Sequence, residues 1–333
     1  MNTTPSTRLD LTSTTAPDQS ESVRDRPRVD ATGRVRASGE RALVLGGAGS
    51  TGNAWEIGVI AGLFAAGLDV TRADLTIGTS AGSTVAAQIT SGIQPTELLA
   101  AILAAAPQPP NGPFGSDRSR APNGSSASYL EWSNRIIASA TDASDMRRRM
   151  SAAALELDAA SDGSGQARWR DIVAARLPSH NWPQQPVRIV AVDASTGEPV
   201  VFDRHSGIDL ADAVAASTSN GFGGPYHVGD NRYINGGYRR NENADLAAGY
   251  ARVLVLSPFS GRSRHPPEWS MHLMAQIDEL RAGGSRVETI VPESTSEHMF
   301  GPNAMDLSLR PPAAQAGYDQ GRALAEQLSA FWR

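Results

Sequence analysis

Two short apolar runs, residues 42–45 and 73–78, close on glycine and feed directly into stretches of helical spacing, 53–66 and 80–90. Strands joined through a helix lie parallel, because the chain must cross back over the sheet before it can pair again. Strand signals return at 187–192, 200–202, 252–256 and 287–291, with helical stretches between them and a closing helix over 313–331. This alternation predicts an α/β fold whose mostly parallel sheet is covered by helices on both faces. With 333 residues, 40% of them hydrophobic, the chain can bury one full core of that kind.

The remaining segments carry weaker signals. Residues 1–40 are rich in Ser, Thr, Asp and Arg and contain no apolar stretch, which predicts a disordered tail ahead of a single domain over 41–330. Residues 107–128 collect Pro, Gly, Ser and Asn, as a surface loop does. A long polar helical segment follows over 129–158 and includes Arg147, Arg148 and Arg149. Together, 107–165 read either as a loop-plus-helix insertion placed to cap a site or as an exposed helix with a solvated face. The longest apolar segment, 57–68, is broken by glycines and too short to span a bilayer. A soluble, cytoplasmic protein is expected.

Composition removes several functions. The net charge of −5 and the lack of any basic run give no electrostatic basis for nucleic-acid binding. Cysteine is absent and the six histidines form no His-x-x-x-His pair, so no metal site is expected.

Two glycine motifs carry the chemistry. The first, Gly46-Gly47-Ala48-Gly49-Ser50-Thr51-Gly52, contains Gly47-x-Gly49-x-x-Gly52 between a strand and a helix, with Asp69 about 20 residues on, which fits a dinucleotide fingerprint. The second is Gly78-Thr79-Ser80-Ala81-Gly82, again between a strand and a helix. A serine forced into such a turn exposes its hydroxyl above the sheet, and Gly78 and Gly82 let neighbouring backbones pass. Its bland alternative is a glycine-rich turn with a capping serine. If Ser80 is a nucleophile, the backbone N–H groups of Gly47, Ala48 and Gly49, with that of Ala81, supply an oxyanion hole. One loop then accounts for both motifs, whereas a dinucleotide site leaves Ser80 unexplained, so no cofactor is expected.

At this point the chain resembles the patatin-like phospholipases, specifically bacterial members in which a glycine-rich loop precedes Ala-Trp-Glu-x-Gly. Here that stretch reads Ala54-Trp55-Glu56-Ile57-Gly58. Further matches are Gly78 to Gly82, Ile234-Asn235-Gly236-Gly237, Asn243-Ala244-Asp245-Leu246-Ala247 and Ala316-Gly317-Tyr318-Asp319-Gln320-Gly321. The resemblance spans roughly residues 41–328. It implies a patatin-like α/β/α sandwich, a Ser-Asp dyad without histidine or metal, and hydrolysis of acyl esters of lipids with transient contact at a membrane surface.

The sequence departs from that pattern at the residue that matters most. The dyad acid of the resembling proteins lies in an Asp-Gly-Gly or Asp-Gly-Ala turn, and here that position is Asn235, followed by Gly236 and Gly237. A carboxylate can take the serine proton, and a neutral amide has no comparably basic lone pair. A second departure is Ala216-Ser217-Thr218-Ser219-Asn220-Gly221, where the resembling proteins carry a small-residue turn ending in Pro-Gly. Four explanations compete: an engineered change, a natural pseudoenzyme, a replacement base, or deamidation of the Asn235-Gly236 step. His227 and Asp230 are the nearest candidates for a replacement base. Trp55, Phe64 or the insertion would supply an acyl-binding wall. The chain thus reads as a serine acyl hydrolase acting through Ser80 with impaired turnover, or as a non-catalytic lipid- or partner-binding protein on the same fold.

Overall fold

The structure is a computed structural model that describes residues 30–31, 39–105, 126–160 and 164–333. The expectations for the N-terminal tail and for all but the last residues of the 107–128 loop lie outside those residues. An eight-stranded sheet forms the centre. Its parallel strands are β1 (Gly39–Leu45), β2 (Leu75–Thr79), β3 (Val187–Asp193), β7 (Tyr250–Leu256) and β8 (Arg286–Ile290). β4 (Pro199–Phe202) and β6 (Asn231–Asn235) run antiparallel to β3, and β5 (Tyr226–Val228) forms a hairpin with β6. The order across the sheet is β5-β6-β3-β2-β1-β7-β8, with β4 also on β3.

Alternation along β1 shows how the two faces are filled. Leu43 and Leu45 enter a cluster with the apolar residues of helices α1 (Gly49–Ala65), α2 (Ala81–Ile89) and α9 (Arg310–Trp332). Ala42 and Val44 point the other way, onto Leu273, Ile277 and Leu280 of α8 (Leu273–Ala282). The result is an α/β/α sandwich with a mostly parallel sheet. Helix α1 is buried almost throughout, and it achieves this by pressing its backbone onto α9. A Cβ at Gly58 would lie 2.1 Å from the carbonyl oxygen of Ala314, and one at Gly317 would lie 2.3 Å from that of Trp55. Only glycine permits that approach.

The remaining helices are α3 (Pro95–Leu103), α4 (Ser126–Ser139), α5 (Ala143–Ala159), α6 (Ser164–Ala174) and α7 (Leu210–Thr218). The polar segment over 129–158 therefore contains two helices and not one. The break falls at Asp142, whose extended backbone starts α5 and whose side chain accepts from the N–H of Asp145 at 2.8 Å. This pair is not merely a solvated surface: Ile137, Met146, Met150 and Ala154 pack on Val192 of β3 and Ile234 of β6. Arg148 and Arg149 stay exposed beside Asp145, while Arg147 reaches in to the carbonyl of Gly197. Among the described residues no helix is long and apolar enough to cross a membrane.

Candidate active site

Register brings the two distant motifs together. Thr79, the last residue of β2, is level with Val190 of β3, and Asn235, the last of β6, is level with the adjacent Ala191. Ser80 and Asn235 therefore emerge on either side of one strand. The amide Nδ2 of Asn235 donates to Ser80 Oγ at 3.0 Å.

Ser80 adopts φ 52° and ψ −118°, a region that side-chain-bearing residues avoid and that costs about 1–3 kcal/mol. Three contacts hold it there. Its N–H donates to Ser217 Oγ at 2.9 Å, and its carbonyl accepts from Ser83 N–H at 2.9 Å and Ser83 Oγ at 2.6 Å. The flanking glycines are required by close approach: a Cβ on Gly82 would meet the carbonyl oxygen of Leu45 at 2.1 Å, and one on Gly78 that of Gly82 at 2.6 Å. Helix α2 thus starts hard against the end of β1. Ser217 lies in the segment 216–221 noted for its unusual sequence, and its role depends on α7 ending beside the Ser80 turn.

The glycine loop abuts the same residue. A Cβ on Gly47 would fall 3.1 Å from Ser80 Cβ. The motif is not all loop, however: α1 begins at Gly49, so Ser50, Thr51 and Gly52 already form its first turn. Thr51 anchors that turn by donating its N–H to the carbonyl of Ala304 at 3.0 Å. The proposed oxyanion donors divide accordingly. Gly47 N–H is spent on the carbonyl of Asn241 at 3.1 Å, which removes it from the set. Among the described residues none accepts from the amides of Ala48, Gly49 or Ala81, which stand at the starts of α1 and α2.

Asn235 is held as firmly as Ser80. Its Oδ1 accepts from Gly237 N–H at 2.8 Å, which leaves Nδ2 as the group facing the serine. Gly236 passes so close to β3 that a Cβ would lie 2.1 Å from the carbonyl oxygen of Val190. Behind both turns sits Asn243, fully buried and left-handed at φ 56°. Its Nδ2 donates to Thr79 Oγ1 at 2.9 Å, to the Gly236 carbonyl at 3.3 Å and to the Arg240 carbonyl at 2.7 Å. Its Oδ1 accepts from Arg239 at 2.7 Å, and Arg239 also pairs with Asp245. One amide thereby clamps the residue before Ser80 to the residue after Asn235.

Several sequence expectations need correction. His227 is not a replacement base: its Nε2 meets both oxygens of Asp158 at 2.8 and 2.9 Å, tying β5 to the end of α5. Asp230 is in the turn that opens β6, five residues or about 17 Å of strand from Asn235. Trp55 is fully buried between α1 and α9, donating to Gln320 Oε1 at 3.2 Å. Phe64 lies near the far end of α1, about 22 Å along the helix from Gly49. Helix α4 instead brings aromatic residues close to the site: Tyr129 and Trp132 pack with Phe222, and Tyr129 Oη is 3.1 Å from that of Tyr238, three residues after Asn235. Asp69 does not serve a dinucleotide. It precedes β2, where such a site needs the acid after it, and it caps its own turn through Thr71 N–H at 2.9 Å and Thr71 Oγ1 at 2.6 Å. No group of three or more metal-ligating side chains occurs among the described residues.

The sequence profile of the patatin-like phospholipases matches residues 43–248, which take in the glycine loop, the Ser80 turn and Asn235. The chain belongs to this family. Patatin-like phospholipases form a family of lipid hydrolases, and the chain has the corresponding sandwich. Solved structures similar to it include two of bacterial proteins. VipD from Legionella pneumophila is 13% identical with a TM-score of 0.39, over 87% of this chain and 67% of that one. The type III effector protein ExoU is 13% identical with a TM-score of 0.40, over 87% of this chain and 53% of that one. No curated protein matches the chain.

Proposed function

We propose that the chain is a serine acyl hydrolase for lipid-like acyl esters in which Ser80 forms the acyl-enzyme and Asn235 restricts turnover. The observation that carries this reading is Ser80, held at φ 52° at the start of α2 and hydrogen-bonded to the residue in the dyad position at 3.0 Å. Ser80 Oγ attacks the ester carbonyl carbon while the amides of Ala48, Gly49 and Ala81 receive the developing oxyanion. The hydroxyl proton then needs an acceptor. A carboxylate at 235 would keep one oxygen on Gly237 N–H and turn the other to Ser80 as a base, whereas the amide presents a donor there. Losing the base costs about 10²–10⁴ in rate, or roughly 3–5 kcal/mol. The acyl chain lies beneath α4 and α5, which cap the site, and the ester is met in transient contact with a lipid surface.

The polarity of the Asn235 contact also favours a second reading, a lipid-binding protein that retains the pocket without turnover. A fluorophosphonate probe and a short-chain p-nitrophenyl ester separate the two. On the first reading Asn235→Asp hydrolyses the ester about 10²–10⁴ times faster than the native chain and labels at Ser80. A folded Asn235→Asp protein with no gain supports binding alone. Labelling that persists in Ser80→Ala would place the nucleophile elsewhere.

A further inference from the structure

The amide at 235 changes what the site can hold as well as what it can do. Gly237 N–H fixes Asn235 Oδ1 at 2.8 Å, so Nδ2 is the end turned to Ser80. One of its two hydrogens goes to Ser80 Oγ at 3.0 Å, and among the described residues the other has no acceptor. Because Ser80 Oγ receives that bond, its own hydrogen points elsewhere, and it too has no acceptor among the described residues. The N–H groups of Ala48, Gly49 and Ala81 are in the same condition. These donors flank one place: Ala81 follows Ser80 in the chain, and a Cβ on Gly47, the residue before Ala48, would lie 3.1 Å from Ser80 Cβ. The acceptor beside them, Asn241 Oδ1 at 3.1 Å from the same Cβ position, is uncharged.

Among the described residues no carboxylate shares the hydrogen bonds of Ser80 or Asn235. Glu242 lies beside the glycine loop, its Cγ 3.5 Å from where a Gly46 Cβ would be, but both it and Glu56 are buried, and burial favours their uncharged forms. A set of donors without an acid of its own suits an anion, and the two oxygens of a carboxylate offer about four lone pairs to such donors. The apolar neighbours are Trp132 and Phe222, half-buried with ring centres 5.4 Å apart. Trp132 Cη2 and the Cγ2 of Ile234, the residue before Asn235, lie 3.8 and 3.3 Å from the Cβ position of Gly221. A carboxylate carried on a hydrocarbon chain fits both parts.

We propose that the native chain holds a free fatty acid, its carboxylate on the Asn235 amide, the Ser80 hydroxyl and the amides of Ala48, Gly49 and Ala81, and its hydrocarbon chain against Trp132 and Phe222. Asn235 is the residue that sets this specificity. An acid in its place would turn a lone pair to Ser80, take up the hydroxyl hydrogen and repel the charge of the ligand. The inference deepens the reading of Ser80 and Asn235 as a site for acyl chains, and rests on it.

Calorimetric binding to the full chain at pH 8 tests it, using decanoate, decanamide as its uncharged isostere, and acetate as the head without the chain, each below its aggregation threshold. The native chain binds decanoate about 10- to 100-fold more tightly than decanamide, the range expected for charge-assisted hydrogen bonds, and binds acetate far more weakly. Asn235→Asp loses that preference while still binding decanamide. Should Asn235→Asp not fold, the native chain carries the test: decanoate affinity falls, and decanamide affinity does not, as pH drops through about 4.5 and the ligand takes a proton. Equal native affinity for decanoate and decanamide would overturn the proposal, as would a preference that survives Asn235→Asp or a decanoate affinity indifferent to pH. Acetate binding as tightly as decanoate would also overturn it, since the site would then serve a bare anion. If Asn235→Asp cleaves the p-nitrophenyl ester but the native chain shows no decanoate preference, the proposal falls and the hydrolase reading stands. The preference without that gain in hydrolysis does the reverse.

Discussion

At position 235 an amide and a carboxylate differ in hydrogen-bond polarity as well as basicity, and the local clamp makes that difference absolute. Gly237 N–H holds Oδ1, so the amide cannot flip to offer an acceptor to Ser80. The same clamp bears on deamidation. Closing the succinimide ring needs Gly236 N to swing onto the Asn235 side chain, yet Gly236 is packed against the Val190 carbonyl with no space for a Cβ. Peptide mass mapping after prolonged storage is expected to find Asn at 235, without the added mass of a carboxylate. Asn243 is the other decisive residue. Asn243→Ala removes donors from Thr79 Oγ1 and from the carbonyls of Gly236 and Arg240, all inside the fold. The variant should lose about 1–3 kcal/mol in denaturant melts. Combined with Asn235→Asp, it should also lower kcat more than it raises KM, because it loosens two turns that must meet in the transition state.

Among the elements, the α1–α9 crossing tolerates least. A Cβ at Gly58 or Gly317 would enter the opposite helix backbone, which cannot move aside as a side chain can. Gly317→Ala should therefore destabilise by about 1–3 kcal/mol despite the better helix propensity of alanine, as a thermal or urea melt would show. The sequence made these long elements legible. Helix α1, the β2-to-α2 turn and the parallel strands declare themselves through periodicity and glycine spacing, which are local. Strands β5 and β6 do not: they are three and five residues long, partly polar, and form because β3 offers an edge to β6, which in turn pairs with β5. The site divides along the same line. Ser80 and the glycines were readable from spacing and Asn235 only through the family resemblance, while the cap at Asp142 was readable in retrospect, since Asp145 follows it three residues on. Ser217, Asn241 and Asn243 were not. Each acts on a partner set by register or by how a helix ends, and no interval in the chain encodes that. Gly47 shows the converse: a motif position that fitted a donor role has its N–H consumed by Asn241.

Across the whole molecule, the buried carboxyls set how stability follows pH. Glu56 is completely enclosed, with the Gly46 N–H the one group that eases its charge. Burial pushes its carboxyl well above the ordinary 4.5, and neighbouring Glu242 adds to the rise. Glu242 is itself raised by burial, although Asn241, Ser257 and Gln276 restrain it. A raised carboxyl keeps its proton longer in the folded state than in the unfolded one, so the native chain binds more protons above pH 4.5. Stability must then fall as pH rises from 4.5 through the folded value. Asp245 acts in the opposite sense. Burial opposes its ionisation, but the hydrogen bonds and charge of Arg239, with Arg240, hold it below 3.8, so its contribution is present above that value and lost on acidification. Glu56→Gln removes the ionisable group while keeping the shape. Its melting temperature should exceed that of the native chain at pH 8 and converge with it near pH 4, and a difference that did not grow with pH would mean that Glu56 already ionises freely inside the fold.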